Sequence, residues 1–289
     1  MKNRVIFVTG CDSGFGRHFA VKCVKEGIPI FAGCFTDEGC KNLENETRTF
    51  PGKLWTISLD VTNDESVKDA YNFVKKNIEP DQFLWAIVNN AGAATSFGPD
   101  EWVSIEQYKK AFDINTLGII RCVHEPVING NINTFTTTKN FRKELQPWGI
   151  KCILFEPGAC NTNLVSDHER WCNLTELCWE NLDDSLKLQY GAIYKQELID
   201  YWCNILSTFA SRINRVDYVV DAYFHAVTSK YPRPRYIIGI DANLLYIPLS
   251  FFPTRLQDWI SSFFPGSLIS TLPMALKLRK DDKSSLHKL

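Results

Sequence analysis

The chain has 289 residues, 45% of them hydrophobic, enough to bury one sizeable core in a single α/β domain with additions. With 32 Lys and Arg against 33 Asp and Glu, and no basic block, it offers no electrostatic footprint for phosphate backbones. That excludes nucleic acid as an expected partner and favours a small, mostly apolar ligand, while the ten cysteines, none in Cys-x-x-Cys spacing, read as reduced thiols facing the cytosol, with no metal site.

In chain order, the first apolar run is Val5 to Val8, close enough to Met1 to leave no room for a signal peptide or a leading membrane helix. The glycosylation sequons at Asn45 and Asn173 therefore read as chance matches. Further strand-like runs follow at Ile28 to Ala32, Leu54 to Leu59, Trp85 to Val88, Cys152 to Phe155 and Tyr236 to Ile240. Near-continuous Val, Ile and Phe of this kind belong to strands buried on both faces, hence to a parallel sheet covered by helices. Helical periodicity fills Phe15 to Glu26, Asp37 to Asn45, Asp64 to Asn77 and Ile105 to Cys122, with Thr36 and Asn63 at N-cap positions.

The segment 163–214 breaks this rhythm with a polar helical stretch containing Trp and Tyr, expected to be a substrate lid on the core 1–162, and 215–240 returns to the core. Beyond it, 241–289 is an apolar tail cut by Pro248, Pro253, Pro265 and Pro273, too interrupted for the roughly 20 apolar residues of a membrane span. Two readings of the tail stay open. It packs over the substrate pocket or a subunit interface, as in a homodimer, or 241–276 lies on a membrane surface, on the cytosolic face of the endoplasmic reticulum, where a lipid substrate enters. The terminal His287-Lys288-Leu289 departs from a peroxisomal Ser-Lys-Leu at its first position.

After the first strand, Gly10, Gly14 and Gly16 open a helix in the phrase Thr9-Gly10-Cys11-Asp12-Ser13-Gly14-Phe15-Gly16. Such glycines make a tight turn, let backbone approach a pyrophosphate and let helix pack on strand, while the helix N-terminus faces the phosphates. Asp60-Val61 ends the third strand, where a carboxylate meets an adenine amino group, and Asn89-Asn90-Ala91-Gly92 ends the fourth, beside the cofactor ribose. The expected fold is therefore a doubly wound Rossmann-type parallel sheet with a helical lid and an apolar C-terminal tail.

On Thr9 to Gly16, Asp60-Val61, Asn89 to Gly92, Asn115, and Glu156-Pro157-Gly158 with Thr162, the chain resembles the short-chain dehydrogenase/reductase family. The wording of the glycine loop, Asn115-Thr116-Leu117-Gly118 and the stretch Asp241 to Leu249 are most similar to its retinol and hydroxysteroid dehydrogenase branch. The resemblance implies a nicotinamide cofactor held by Gly10, Ser13, Gly14, Phe15, Gly16, Asp60, Val61, Asn89, Ala91, Gly92, Pro157, Gly158 and Thr162. It also implies an apolar alcohol or ketone as substrate. The end of the second strand offers Gly33-Cys34 where an acidic residue would hold a ribose 2′-hydroxyl; Asp37 lies nearby and Arg17 would suit a 2′-phosphate, so the reading favours NAD and leaves NADP open.

The family's chemistry uses a Tyr phenol with a lowered pKa, a Lys one helical turn on, a Ser hydroxyl and an Asn. Asn115 matches the Asn. In the interval that should hold the others stands Val127 to Lys139, with Phe135 and Lys139 at the mutual spacing of the Tyr and Lys, and phenyl carries no proton. The pair Tyr71 and Lys75 has the spacing too, but on a helix that runs away from the cofactor edge. Only 25 residues separate Asn115 from Phe141, which a helix of about 11 residues, a strand and their connections nearly use up. The interval 123–141 is thus expected to lack the fifth strand or the helix behind it. Three readings follow: a dehydrogenase with rescued catalysis, a nucleotide-binding protein without turnover, or an exon-skipped or misassembled form of an active enzyme.

Overall fold

The structure, a computed structural model, describes residues 3–128, 134–136, 143–158, 160, 162, 167–200 and 215–262. Seven strands, β1 (Arg4–Thr9), β2 (Ile30–Cys34), β3 (Leu54–Ser58), β4 (Phe83–Val88), β5 (Thr134–Thr136), β6 (Lys151–Pro157) and β7 (Arg235–Ile238), form one sheet in the order β3-β2-β1-β4-β5-β6-β7. Every pairing is parallel. The order reverses between β1 and β4, and the crevice outside the carboxyl ends at such a reversal is where this architecture takes its ligands.

Alternation along the strands sends side chains to two cores. Ile6, Val8, Ile30 and Ala32 pack under Phe19, Cys23 and Val24 of α1 (Gly14–Lys25). The same face is covered by Val219, Val220 and Tyr223 of α8 (Val216–Thr228). On the other face Val5, Phe7, Phe31 and Ile87 meet Val67, Ala70 and Val74 of α3 (Asp64–Asn77) and Cys122 and Val123 of α5 (Gly118–Ile128). Thr36 caps α2 (Asp37–Thr47) by accepting from the Gly39 N–H at 3.0 Å, and Asn63 caps α3 through the Ser66 N–H at 3.1 Å, as their positions predict.

Of the two expected losses, the fifth strand or the helix behind it, that of the strand is corrected. β5 is present, described at Thr134–Thr136, with Thr134 pairing with Ala86 and Lys151, Phe135 with Ile87 and Cys152. The reason is the ladder: without a strand between them, β4 and β6 would each bury N–H and C=O groups without partners, costing roughly 1–3 kcal/mol apiece. Among the described residues, Thr134–Thr136 bridge the gap. The last described pair of β5 is Thr136 with Ile153, while β6 runs to Pro157 and β4 to Val88.

The crossover from β5 to β6 spans only 137–150, and its described part, 143–150, holds a helical turn at 143–145, a 3-10 turn Gln146–Trp148 and a left-handed Gly149. Phe135 lies in a strand, so its spacing to Lys139 does not put the two on one helical face. Lys139 itself is outside the described residues.

Helix α4 (Ile105–Phe112), closed at its start by a Ser104–Gln107 capping box, continues into α5 through a π turn at Asp113–Leu117. Past β6, helices α6 (His168–Glu180), α7 (Asp184–Tyr190) and 192–200 gather around Trp102 in a separate apolar cluster with Cys178, Leu182, Tyr194 and Leu198. After β7, a π turn at Ala242–Tyr246 leads to α9 (Thr254–Ser262). No helix among the described residues is long and apolar enough to cross a membrane, and their cysteines are all free thiols.

Candidate cofactor and active site

The glycine loop is locked to the end of β4. The buried Thr9 hydroxyl accepts from the Asn90 N–H at 3.1 Å and the Ala91 N–H at 2.9 Å, and the Asn90 amide donates back to the Thr9 and Gly10 carbonyls, both at 3.0 Å. Gly10 turns with φ of 70°, a conformation open to glycine. A Cβ on Gly16 would fall 2.4 Å from both the Gly10 carbonyl oxygen and the Asn90 amide nitrogen, so helix and loop touch backbone to side chain. Ser13 stands at the N-cap of α1 without a side-chain cap bond, and the first turn carries no acidic residue. The N–H groups at this end are therefore aimed at an anion outside the helix, the donor set that a pyrophosphate needs.

Around this loop the structure assembles most of the residues the motifs point to. The Asp60 carboxylate accepts from the Thr62 N–H at 2.9 Å and hydroxyl at 2.7 Å, holding the turn after β3, and Val61 packs on Gly118 of α5. Asn115, in the π turn, clamps the loop after β4: its Oδ1 accepts from the Ala93 N–H and its Nδ2 donates to the Ala93 carbonyl, both at 2.9 Å. Beyond Pro157, the Gly158 N–H donates to Ile238 at 2.7 Å, and the nearly buried Thr162 reaches over the glycine loop, its Cβ 3.7 Å from where a Cβ of Gly14 would stand. Asn89 and Gly92 flank Asn90 and Ala91 in the segment after β4, a Cβ on Gly92 falling 3.2 Å from Asn115 Oδ1, and Phe15 packs against the first core. The residues present fit a dinucleotide.

Among the described residues, the catalytic set is not assembled. Of the four groups, only the Asn115 position is both matched and described. Tyr71 lies under α3 beside Phe7, Leu59, Leu84 and Cys122, its hydroxyl buried without a hydrogen-bond partner and away from the carboxyl edge. Its phenol costs stability there: Tyr71→Phe is expected to raise the unfolding free energy by about 1 kcal/mol and leave cofactor affinity unchanged, as read by urea titration and NADH fluorescence.

Next to the loop after β4 is a cleft of about 440 Å³ lined by Phe97, Val103, Tyr108, Tyr194 and Leu198 among others. Its tyrosines do not show the lowered pKa that the family's phenol needs. The Tyr108 hydroxyl donates to Asp100, which pushes its pKa up. Burial pushes Tyr194 up as well, and burial with donation to Glu101 at 3.0 Å takes neighbouring Tyr190 up to about 12.

Residues 4–128 match the profile of a family described as short chain dehydrogenase. A worm relative, 3beta-hydroxysteroid dehydrogenase dhs-16 of Caenorhabditis elegans, is 35% identical, the match covering 98% of this chain and 81% of that protein. The chain belongs to the short-chain dehydrogenase/reductase family. Within it the resemblance is to the retinol and hydroxysteroid branch: mouse retinol dehydrogenase 16 is 31% identical over 89% of this chain and 87% of its own length.

Among solved structures, a short-chain dehydrogenase from Streptomyces avermitilis superposes with a TM-score of 0.62 at 19% identity, covering 90% of this chain and 98% of the other. A Brucella melitensis 3-ketoacyl reductase solved with NADH gives 0.56 at 15%, over 79% and 92%. These agree in fold. The worm match runs to 320 aligned positions on 98% of this 289-residue chain, and the family profile stops at Ile128, before β5.

Two features of the site escape motif reading. Asp12 of the glycine loop bonds across to the end of β2, and the buried Asp241 backs the loop after β6 so closely that a Cβ on Gly158 would fall 1.9 Å from its Oδ1. The first has a signal in the sequence, since Gly39 in the first turn of α2 leaves the space Asp12 occupies.

Proposed function

We propose that this short-chain dehydrogenase/reductase holds a nicotinamide dinucleotide across the carboxyl edge of its sheet and lacks efficient turnover of the lipid alcohols its lineage handles. The observation that carries this reading is the contrast at one edge. The cradle of Thr9, Gly10, Gly14, Gly16, Asn90 and Thr162 is in place, while residues 116–150, where the family's Ser and Tyr-x-x-x-Lys are expected, contain neither a Ser nor a Tyr. When bound, the nicotinamide supplies or accepts hydride. The chain's residues would bind and orient it, the α1 N-terminus at the pyrophosphate, Asp60 and Val61 at the adenine, Asn89 to Gly92 at the ribose and Pro157, Gly158 and Thr162 at the nicotinamide. No described group is poised to move the alcohol proton. Saturable quenching of NADH fluorescence by the purified chain is the expected result; absence of binding would mean the shortened crossover has also disabled the cradle.

The substrate class follows the relatives, named for a hydroxysteroid and for retinol. The aromatic cleft beneath helix 192–200 suits the apolar body of such a molecule, with 168–200 acting as its lid. Across 242–260, Leu244, Tyr246, Phe251, Phe252 and Trp259 are exposed, Phe251 by 82%. Consecutive turns showing aromatic and Leu side chains to solvent favour contact with a lipid surface. We expect the protein to float with neutral phosphatidylcholine vesicles and the double variant Phe251→Ser/Trp259→Ser to stay behind; equal behaviour of the two would overturn the contact.

An excised segment is the reading of the gap's origin that the 320 aligned positions favour. Its test is to sequence transcripts across the codons for Val123 to Phe141. A longer form encoding Ser and Tyr-x-x-x-Lys is expected, and its absence from every transcript would refute the reading.

A further inference from the structure

We infer that Asp12, seconded by the closed Arg17–Glu46 pair, makes the adenosine end of the site selective for a free ribose 2′-hydroxyl over a 2′-phosphate. The inference rests on the dinucleotide reading above and concerns the end of the cofactor remote from the chemistry.

In this architecture the adenosine ribose lies off the carboxyl end of β2, and selectivity is set by what that strand end offers: a carboxylate accepts from the 2′-hydroxyl, a cation with backbone donors accepts a 2′-phosphate. Here β2 ends in Gly33-Cys34, neither of which does either task. The carboxylate arrives from elsewhere. Asp12, in the glycine loop, accepts from the Phe35 N–H at 2.7 Å, the Thr36 N–H at 2.9 Å and the Thr36 hydroxyl at 2.7 Å. It thus places a negative charge at the strand end and spends the very donors that a phosphate would need.

The fold is built around this placement. Thr36 Oγ1 also caps α2 through the Gly39 N–H, and a Cβ on Gly39 would fall 2.5 Å from Asp12 Oδ1. The cation that could compensate is committed too. Arg17 directs its Nε and one terminal nitrogen at a single oxygen of Glu46, at 3.0 and 2.6 Å. A phosphate entering here would meet one carboxylate with its donors taken and a guanidinium already neutralised.

The test uses the full chain with NADH fluorescence as the reporter and two competitors, adenosine 5′-monophosphate and adenosine 2′,5′-bisphosphate, which differ only at the position in question. The monophosphate is expected to bind at least about 30-fold more tightly than the bisphosphate, the size of one like-charge contact near a protein surface. Asp12→Asn, which keeps the shape and removes the charge, should bring the two within about threefold. Glu46→Gln, far from the loop's hydrogen bonds, releases Arg17 and should strengthen the bisphosphate about threefold or more relative to the monophosphate, and it decides the matter if Asp12→Asn does not fold.

Equal binding of the two competitors by the unaltered chain overturns the inference and leaves the dinucleotide reading standing. A wild-type ratio that survives in the folded variants overturns it as well. Failure of NADH and both competitors to bind overturns the inference together with the reading beneath it.

Discussion

Gly16→Ala is expected to weaken NADH binding by at least about 100-fold and to lower stability by roughly 1–3 kcal/mol, because the added methyl overpacks a junction that has no slack. Its Cβ would stand 2.4 Å from the Gly10 carbonyl oxygen, which is backbone, and 2.4 Å from the Asn90 amide nitrogen, whose two bonds to Thr9 and Gly10 hold the loop against β4. Neither neighbour can retreat without opening the turn that presents the α1 N-terminus. Fluorescence titration of NADH and thermal melting read the two effects separately. Wild-type affinity in a folded Gly16→Ala protein would show that the loop is not the phosphate cradle.

Lengthening the crossover should have the opposite sign and a larger size. An insert after Thr136 that extends β5 to a strand-end Ser and adds a helix carrying Tyr-x-x-x-Lys is expected to raise alcohol oxidation by about 10²–10⁴-fold, the range over which a placed general acid–base group acts. Asn115 already stands in the π turn beside the loop after β4, so the insert supplies the groups the described structure does not bring there. The same insert with Phe for its Tyr should recover binding and not rate. An insert that changes nothing would show that the shortened crossover is not what limits turnover.

Particular residues show how far the sequence could be read. Runs such as Val5 to Val8 and Ile30 to Ala32 are buried on both faces, so composition alone announces a parallel strand, and Thr36 and Asn63 act locally within three residues of their partners. Thr134-Phe135-Thr136 is a different case. Three residues carry no periodicity, and this strand exists because β4 and β6 on either side demand a ladder, a tertiary cause invisible to a local pattern.

The site divides the same way. The glycines are legible because their mechanical tasks fix residue type, and Thr162 through the family resemblance, whereas the two bonds by which Asn90 locks the glycine loop appear only in the folded chain. Asp12 bonds to residues 23 and 24 positions away, and Arg17 is closed by Glu46 at a separation of 29; only the folded chain shows that the first sits at the end of β2 and the second is committed. The catalytic groups proposed to be absent correspond to a shortage of length between Asn115 and Phe141, a property a sequence states directly.

The proposed dinucleotide site without alcohol turnover is tested most directly by a single-turnover assay. Purified chain in excess is mixed with NAD and a 3β-hydroxysteroid or retinol, while NADH formation is followed by its absorbance and binding by fluorescence. The prediction is saturable NADH binding with no NADH formed from either alcohol. Formation of NADH at a rate typical of enzymes, about 1 s⁻¹ or faster, would contradict it.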